Sequence, residues 1–171
     1  VALVGRVLER VGARLVVICE PTGLQLGLGH KGRASLVVEA TGRAAHTSRP
    51  ERGLNAVYLL TGALPALRGL DLPTDALLGR GVMELVEIAS EPFPGSSMVP
   101  FSCTARFDRR LVRGETRQGV LAELRAALAP TPGVAARLHT RQLRCYTGAT
   151  LEEEVFHPCW ACAPDSALAR R

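Results

Sequence analysis

Lysine is almost missing from this 171-residue sequence, in which Lys31 is the only one, and aromatic residues make up only 4%. Arginine therefore carries nearly all of the positive charge behind the formal net charge of +5. The arginines are scattered along the chain, whereas a nucleic-acid-binding surface usually clusters its basic residues or places stacking rings among them. The composition therefore argues against nucleic acid as a partner.

Long apolar runs are also missing. No stretch approaches the roughly 20 residues that cross a bilayer, and Arg6, Glu9 and Arg10 interrupt any signal-peptide apolar segment at the start. We therefore expect no membrane association. Because the sequence begins with Val1 and not with Met, we expect it to be the interior of a larger gene product.

Cysteine is present in an odd number, which does not suit a complete disulfide framework. Of the five cysteines, Cys19 and Cys103 lie in apolar runs typical of strands. Buried free thiols in a reducing compartment account for this pattern better than disulfides do. We therefore predict a cytoplasmic protein.

The hydrophobic periodicity predicts an α+β protein. A period of two residues indicates strands and a period near 3.6 indicates helices. The predicted β-α-β-β-α-β order is that of the ferredoxin-like fold, with a four-stranded antiparallel sheet and both helices on one face. The predicted elements are strand 33–41, helix 54–67, strand 82–89, strand 98–110, a helix that begins after Thr116, and strand 134–143.

Several boundaries of these elements can also be predicted. Ser48 and Glu51 match a capping box ahead of the first helix, while Pro65 and Gly69 are expected to end it. Thr116 is expected to N-cap the second helix. Residues 70–81 are expected to form a loop.

The remainder of the chain predicts two flanking segments. Residues 3–11 have helical spacing, and residues 15–19 form an apolar run typical of a strand buried in a parallel sheet. We therefore predict a segment of an α/β layer at 1–29, the ferredoxin-like domain at 30–145, and a segment at 146–171 that returns to the first layer.

Three motifs carry most of the functional information. His46 lies in a short connection between a predicted strand and a predicted helix, where functional side chains are often presented. Its surroundings fit the pattern G-K-x-x-H-x-[SA]-x-P-x-x-G-x-N-[AP]. Glu20-Pro21-Thr22 fits E-P-T, and Asp108-Arg109-Arg110 fits D-x-R. The residues that match the first pattern are Gly42, His46, Ser48, Pro50, Gly53, Asn55 and Ala56.

With these motifs in this order, the sequence resembles the zinc-dependent peptidase and deacylase family that includes carboxypeptidase G, acetylornithine deacetylase, succinyl-diaminopimelate desuccinylase and aminoacylase. The resemblance implies that 30–145 is the lid, or dimerisation, domain and that the flanking segments belong to the catalytic domain. Short strings near Gly114 and Cys145 are most similar to the branch of selenium-metabolism hydrolases.

The resemblance also implies a role for individual residues. The family binds two zinc ions bridged by a water molecule, and Glu20 would be a carboxylate ligand of one of them. His46 would reach into the neighbouring subunit's active site and stabilise the oxyanion, as a neutral or a charged donor. Arg110 would bind the substrate's carboxylate. Ser97 would replace the substrate-contacting asparagine of many members.

Without the family resemblance, each of these residues has another possible role. Glu20 could simply begin a turn, His46 could be a solvated loop residue, and Arg109 could bind the carboxylate in place of Arg110. Asn55 could contact substrate or could tie the His46 loop by hydrogen bonds.

As a whole, the sequence predicts part of a homodimeric, metal-dependent hydrolase that cleaves an amide in a small, carboxylate-bearing substrate. The metal would be zinc, with cobalt or manganese as alternatives. The remaining metal ligands and the catalytic glutamate are expected outside this chain, which would be inactive alone. Two alternatives remain. The chain could be a non-catalytic ferredoxin-like module that binds a ligand or partner, or its Cys145, His157, Cys159 and Cys162 could form a single zinc or redox site.

Overall fold

The long strands and the two helices follow the predicted order. The computed structural model describes residues 8, 10–12, 21, 23, 25–95, 97–167 and 170. The helices are α1 (Ala56–Arg68) and α2 (Arg117–Leu128), and a 3-10 turn spans Pro50–Arg52. The strands are β1 (Gly29–His30), β2 (Gly32–Thr41), β3 (Thr74–Asp75), β4 (Gly79–Arg80), β5 (Val82–Glu91), β6 (Ser102–Leu111), β7 (Val134–Leu138), β8 (Thr140–Arg144), β9 (Thr150–Glu154), β10 (Phe156–His157) and β11 (Trp160–Ala161).

Four strands form an antiparallel sheet in the order β7-β2-β6-β5, which confirms the ferredoxin-like prediction. In this sheet Leu36 of β2 lies opposite Phe107 of β6 and Leu138 of β7. Helix α1 connects β2 to β5, and helix α2 connects β6 to β7. β10 pairs with β2 beyond the end of β7.

The core lies between one face of this sheet and the two helices. Alternate residues of β2 and β6 are apolar and buried, and they pack with buried leucines of both helices, such as Leu60 and Leu124. This pattern confirms that both helices cover the same face. The residues that the two strands contribute to this core are Ala34, Leu36, Val38, Ala40, Cys103, Ala105, Phe107 and Leu111.

The predicted start of the first helix is wrong. The side-chain oxygen of Asn55 caps α1, because it accepts hydrogen bonds from the backbone N–H groups of Val57 (2.9 Å) and Tyr58 (3.3 Å). Gly53 is extended after the 3-10 turn, so a helix cannot run continuously from Ser48. The helix also continues through Pro65 and ends at Gly69. Thr116 caps α2 as predicted, since its hydroxyl accepts from the Gly119 N–H.

The last predicted strand, 134–143, is divided in two at His139. The His139 N–H still donates to the Ser35 carbonyl (2.8 Å), but β8 then leaves the sheet and pairs with β9. The predicted loop at 70–81 contains the short β3–β4 pair. The Arg113 guanidinium and the backbone N–H groups of Leu78 and Leu77 hold the pKa of the Asp75 carboxyl in this hairpin well below its usual range.

The predicted strand 15–19 and the candidate ligand Glu20 lie outside the described residues. The boundaries of the flanking segments therefore remain predictions. Within the described part of the chain, no helix has the length and apolar character needed to cross a membrane.

Candidate functional site

The loop that carries His46 is fastened to the segment that enters β6. Val99 donates its N–H to the Ala45 carbonyl (2.7 Å), and Thr47 donates its N–H to the Ser97 carbonyl (3.1 Å). His46 and Met98 form an antiparallel bridge between these two bonds. Residues that are distant in sequence thus place His46 and Ser97 side by side.

Two glycines of the His46 motif are required by close packing in this loop. A Cβ atom at Gly42 would overlap the Leu54 carbonyl oxygen, and one at Gly53 would lie 2.9 Å from the Arg43 carbonyl oxygen. Arg43 and Leu54 exchange two backbone hydrogen bonds, of 2.8 and 2.9 Å. A side chain at either glycine would therefore separate the two arms of the loop.

The imidazole ring of His46 is exposed at the surface and is held by one neighbour. Its Nδ1 atom lies 2.8 Å from the Ser48 hydroxyl oxygen and 3.2 Å from the Ser48 backbone nitrogen, whose N–H donates to it. Among the described residues, the other ring nitrogen, Nε2, has no hydrogen-bond partner. Ser48 thus occupies one side of the ring, and the opposite side faces solvent.

Asn55 does not bind the His46 loop through its side-chain oxygen, so that part of the prediction is wrong. The oxygen is used as the helix cap, and capping satisfies backbone donors that would otherwise lack partners. A contact between the Asn55 amide nitrogen and substrate remains a prediction. A contact between Ser97 and substrate also remains a prediction. In the structure, the Ser97 backbone carbonyl accepts the Thr47 N–H and so fastens the loop.

Arg109 and Arg110 lie on opposite faces of β6. Arg109 is buried on the helix-covered face, where it forms ion pairs with Glu115 (2.6 Å) and Glu123. The side chain of Arg110 is 53% exposed on the open face and contacts Asp108 at 3.0 Å. Of the two arginines, only Arg110 is accessible to a substrate.

The open face of the sheet carries further cationic side chains that were not predicted as site residues. Arg33 donates to Asp108 (2.6 Å), and the Arg106 Nε atom is buried without a hydrogen-bond partner among the described residues. The alternation of apolar and polar residues along β6 could have identified these side chains, because it places Arg106, Asp108 and Arg110 on one face. Arg33, Arg106 and Asp108 contribute to a concavity of ≈ 410 Å³. Its lining residues are Arg33, Ser35, Val86, Arg106, Asp108, His139, Arg141 and Val155.

His46 and Arg110 lie at opposite ends of the sheet within one chain. His46 is beside Met98, before β6 begins, whereas Arg110 is near the end of β6 and lies opposite Arg33 and Val82. At about 3.3 Å per strand residue, β6 alone separates these two ends by roughly 25 Å. One small substrate cannot contact both side chains of the same chain.

Comparison with known proteins identifies the family. Residues 28–134 match the sequence profile of the peptidase dimerisation domain of the M20 family. The chain belongs to the M20 peptidase dimerisation domain family.

Relatives of this dimerisation domain include the protein YgeY of Escherichia coli K12. It is 34% identical over 164 residues, which cover 93% of this chain and 40% of YgeY. The acetylornithine deacetylase of Salmonella arizonae is 31% identical over 163 residues, covering 89% of this chain and 39% of that protein. The chain thus spans about 40% of the length of these relatives.

Solved structures show the same fold at low sequence identity. An M20-family metallo-carboxypeptidase from Sulfolobus solfataricus matches 90% of this chain, over 50% of its own length, with a TM-score of 0.59 and 15% identity. The aminopeptidase PepT of Bacillus cereus matches 84% of the chain, over 34% of its own length, with a TM-score of 0.53 and 14% identity.

The described part of this dimerisation domain holds no group of three or more histidine, cysteine, aspartate or glutamate residues that could bind a metal ion. Cys145, His157, Cys159 and Cys162 therefore do not form the alternative zinc site among the described residues. The four described cysteines are free thiols. Burial raises the pKa of the Cys103 thiol, so this side chain stays protonated and acts as a core residue.

Proposed function

We propose that this chain is the lid of a metal-dependent hydrolase that cleaves an amide bond in a small, carboxylate-bearing substrate. Its relatives include an acetylornithine deacetylase, and an M20 metallo-carboxypeptidase shares its fold. The main support is that the His46 loop is fixed by long-range hydrogen bonds while one ring nitrogen stays free to donate. We place the enzyme in the cytoplasm, which is consistent with its free thiols.

The proposed hydrolase is a homodimer that associates through β5. This strand is an edge of the sheet, and four of its large apolar residues, Val82, Leu85, Val86 and Ile88, are at least 40% exposed. The other edge strand, β7, has no exposed large apolar residue. An exposed apolar edge strand is a template for pairing with another chain. The β5 strand of a second copy presents the same apolar surface. Pairing of the two β5 strands would therefore satisfy the exposed edge of each copy.

A two-fold dimer would also explain the separation of His46 from Arg110. In an antiparallel pair of β5 strands, the Val82 end of one copy lies beside the Glu91 end of the other. Arg110 is opposite Val82, and the His46 loop is at the Glu91 end. Arg110 of one subunit and His46 of its partner would thus lie at the same end of one continuous sheet.

In this dimer, His46 would donate a hydrogen bond to the oxyanion that develops on the scissile carbonyl. Arg110 would bind the substrate's carboxylate with its planar guanidinium. Ser97 and Asn55 would make further substrate contacts beside His46. Glu20 would be one metal ligand, and the metal, when bound, supplies an activated water for attack on the carbonyl. Zinc is the metal we propose, with cobalt or manganese as substitutes.

The test is hydrolysis of N-acyl amino acids by the intact protein with zinc. We expect His46→Ala to lower kcat by about 100-fold or more, the usual effect of removing an oxyanion donor. Arg110→Met should raise KM for N-acyl amino acids but not for N-acyl amines, which lack the carboxylate.

Arg144→Met is the control, since Arg144 is an exposed residue outside the central sheet. It should leave both kinetic constants unchanged. If the wild-type protein hydrolyses no amide with zinc, cobalt or manganese, the hydrolase proposal is wrong and a non-catalytic module is the better description.

A further inference from the structure

The hydrogen bonds of the His46 ring determine which of its nitrogens carries the proton. The Ser48 backbone N–H donates to Nδ1 at 3.2 Å. An amide N–H can only donate, so Nδ1 must offer its lone pair and cannot itself be protonated. The ring is then neutral, with its proton on Nε2. The Ser48 hydroxyl, 2.8 Å from the same Nδ1, can donate to it as well.

The backbone around His46 is held as firmly as the ring. The His46 carbonyl accepts from the Arg49 N–H at 2.9 Å, which closes a turn over Thr47 and Ser48. The neighbouring Ala45 and Thr47 are bonded to Val99 and Ser97. A freely solvated loop histidine would have neither of these restraints. Here both the position of the ring and the direction of its Nε2–H are set before any ligand arrives.

We propose that Ser48 is a positioning residue that holds His46 as the neutral Nε2–H tautomer. This proposal rests on the proposed function, in which His46 stabilises an oxyanion. His46 is then a fixed, uncharged donor, and no reorientation is required when negative charge develops on the substrate. An imidazolium would direct its Nδ1–H at the Ser48 N–H and lose this hydrogen bond, so the geometry fits the neutral donor.

The first test is spectroscopic and does not depend on activity. The intact protein is prepared with ¹⁵N-labelled histidine, and the His46 signals are identified by their loss in His46→Gln. Long-range ¹H–¹⁵N spectra should show a protonated Nε2 and an unprotonated Nδ1. In Ser48→Ala, which lacks the hydroxyl donor, the Nδ1 resonance should move downfield. A protonated Nδ1 in the wild type, or an Nδ1 shift that Ser48→Ala leaves unchanged, would overturn the proposal.

The second test is a double-mutant cycle on amide hydrolysis. Loss of one hydrogen bond of about 1 kcal/mol corresponds to about a fivefold effect, so Ser48→Ala should lower kcat about fivefold with little change in KM. Ser48→Thr keeps the hydroxyl and should retain kcat close to that of wild type. In a His46→Ala background, Ser48→Ala should have no further effect, because Ser48 acts through His46.

An equal loss of kcat in both backgrounds would show that Ser48 acts independently of His46, and would contradict the proposal. If His46→Ala itself kept the full rate, the oxyanion role under the proposed function would fail. The spectroscopic result would still decide the tautomer in that case, so the two failures can be told apart.

Discussion

At the scale of single residues, Arg109 and Arg110 show how strand alternation separates two identical side chains. Arg109 is directed into the core, where Glu115 and Glu123 compensate its charge, while Arg110 is directed to the open face. Glu115 also accepts a hydrogen bond from the Val112 N–H (2.6 Å), so the Arg109 cluster ties the end of β6 to the start of α2. Arg109 is therefore a structural residue, whereas the Arg110 side chain is exposed and contacts only Asp108 among the described residues.

This difference gives a stability prediction. Arg109→Met keeps the side-chain bulk but leaves Glu115 buried without its cation, so it should lower the free energy of unfolding by about 3–5 kcal/mol. Arg110→Met breaks only an exposed ion pair and should cost about 1 kcal/mol or less. Urea unfolding measures both. Similar losses for the two variants would contradict the assignment of their roles.

At the scale of elements, local pattern predicted most of the sheet and both helices. Alternation in β2 and β6 and the Thr116 cap depend on residues close in sequence, so they could be read directly. The start of α1 could not be predicted in this way, because Ser48 and Asn55 are both good N-cap residues. The close packing of Gly42 against Leu54, which are distant in sequence, favours Asn55. The division at His139 could not be predicted either, since it depends on pairing of β8 with β9.

The candidate site was predicted only in part, for the same physical reason. The motif around His46 identified the residue, but the bonds from Ser97 and Val99 that fix its loop span about fifty residues of sequence. No local pattern encodes them. The proposed tautomer of His46 depends on the directions of the Ser48 backbone N–H and hydroxyl, which composition and spacing do not reveal.

The edge strand β5 yields a prediction at the same scale. Ile88 lies on the helix-covered face of the sheet, opposite Ala105, yet is 50% exposed. Ile88→Arg should place a charge in the proposed interface and convert the dimer to monomers in sedimentation equilibrium. Leu143→Arg, at an exposed apolar position of β8, is the matched control and should remain dimeric. A dimer that persists in folded Ile88→Arg would rule out association through β5.

At the scale of the whole molecule, the two ends of the sheet carry different candidate site residues. One end has the His46 loop with Ser97 and Asn55, and the other has Arg110, Asp108 and Arg33. A single chain cannot bring them together across roughly 25 Å of strand, whereas two chains related by a two-fold axis at β5 place them at one end. The central claim is therefore that each active site takes His46 from one subunit and Arg110 from the other.

Subunit complementation tests this claim most directly. A purified heterodimer of the intact protein would combine one His46→Ala subunit with one Arg110→Ala subunit. If the two residues come from different subunits, one of its sites has both substitutions and the other has none. The heterodimer should then regain about half of the wild-type activity, as two-fold symmetry requires. If both residues serve the same subunit's site, each site has one defect, and activity no higher than that of the two mutant homodimers would contradict the account.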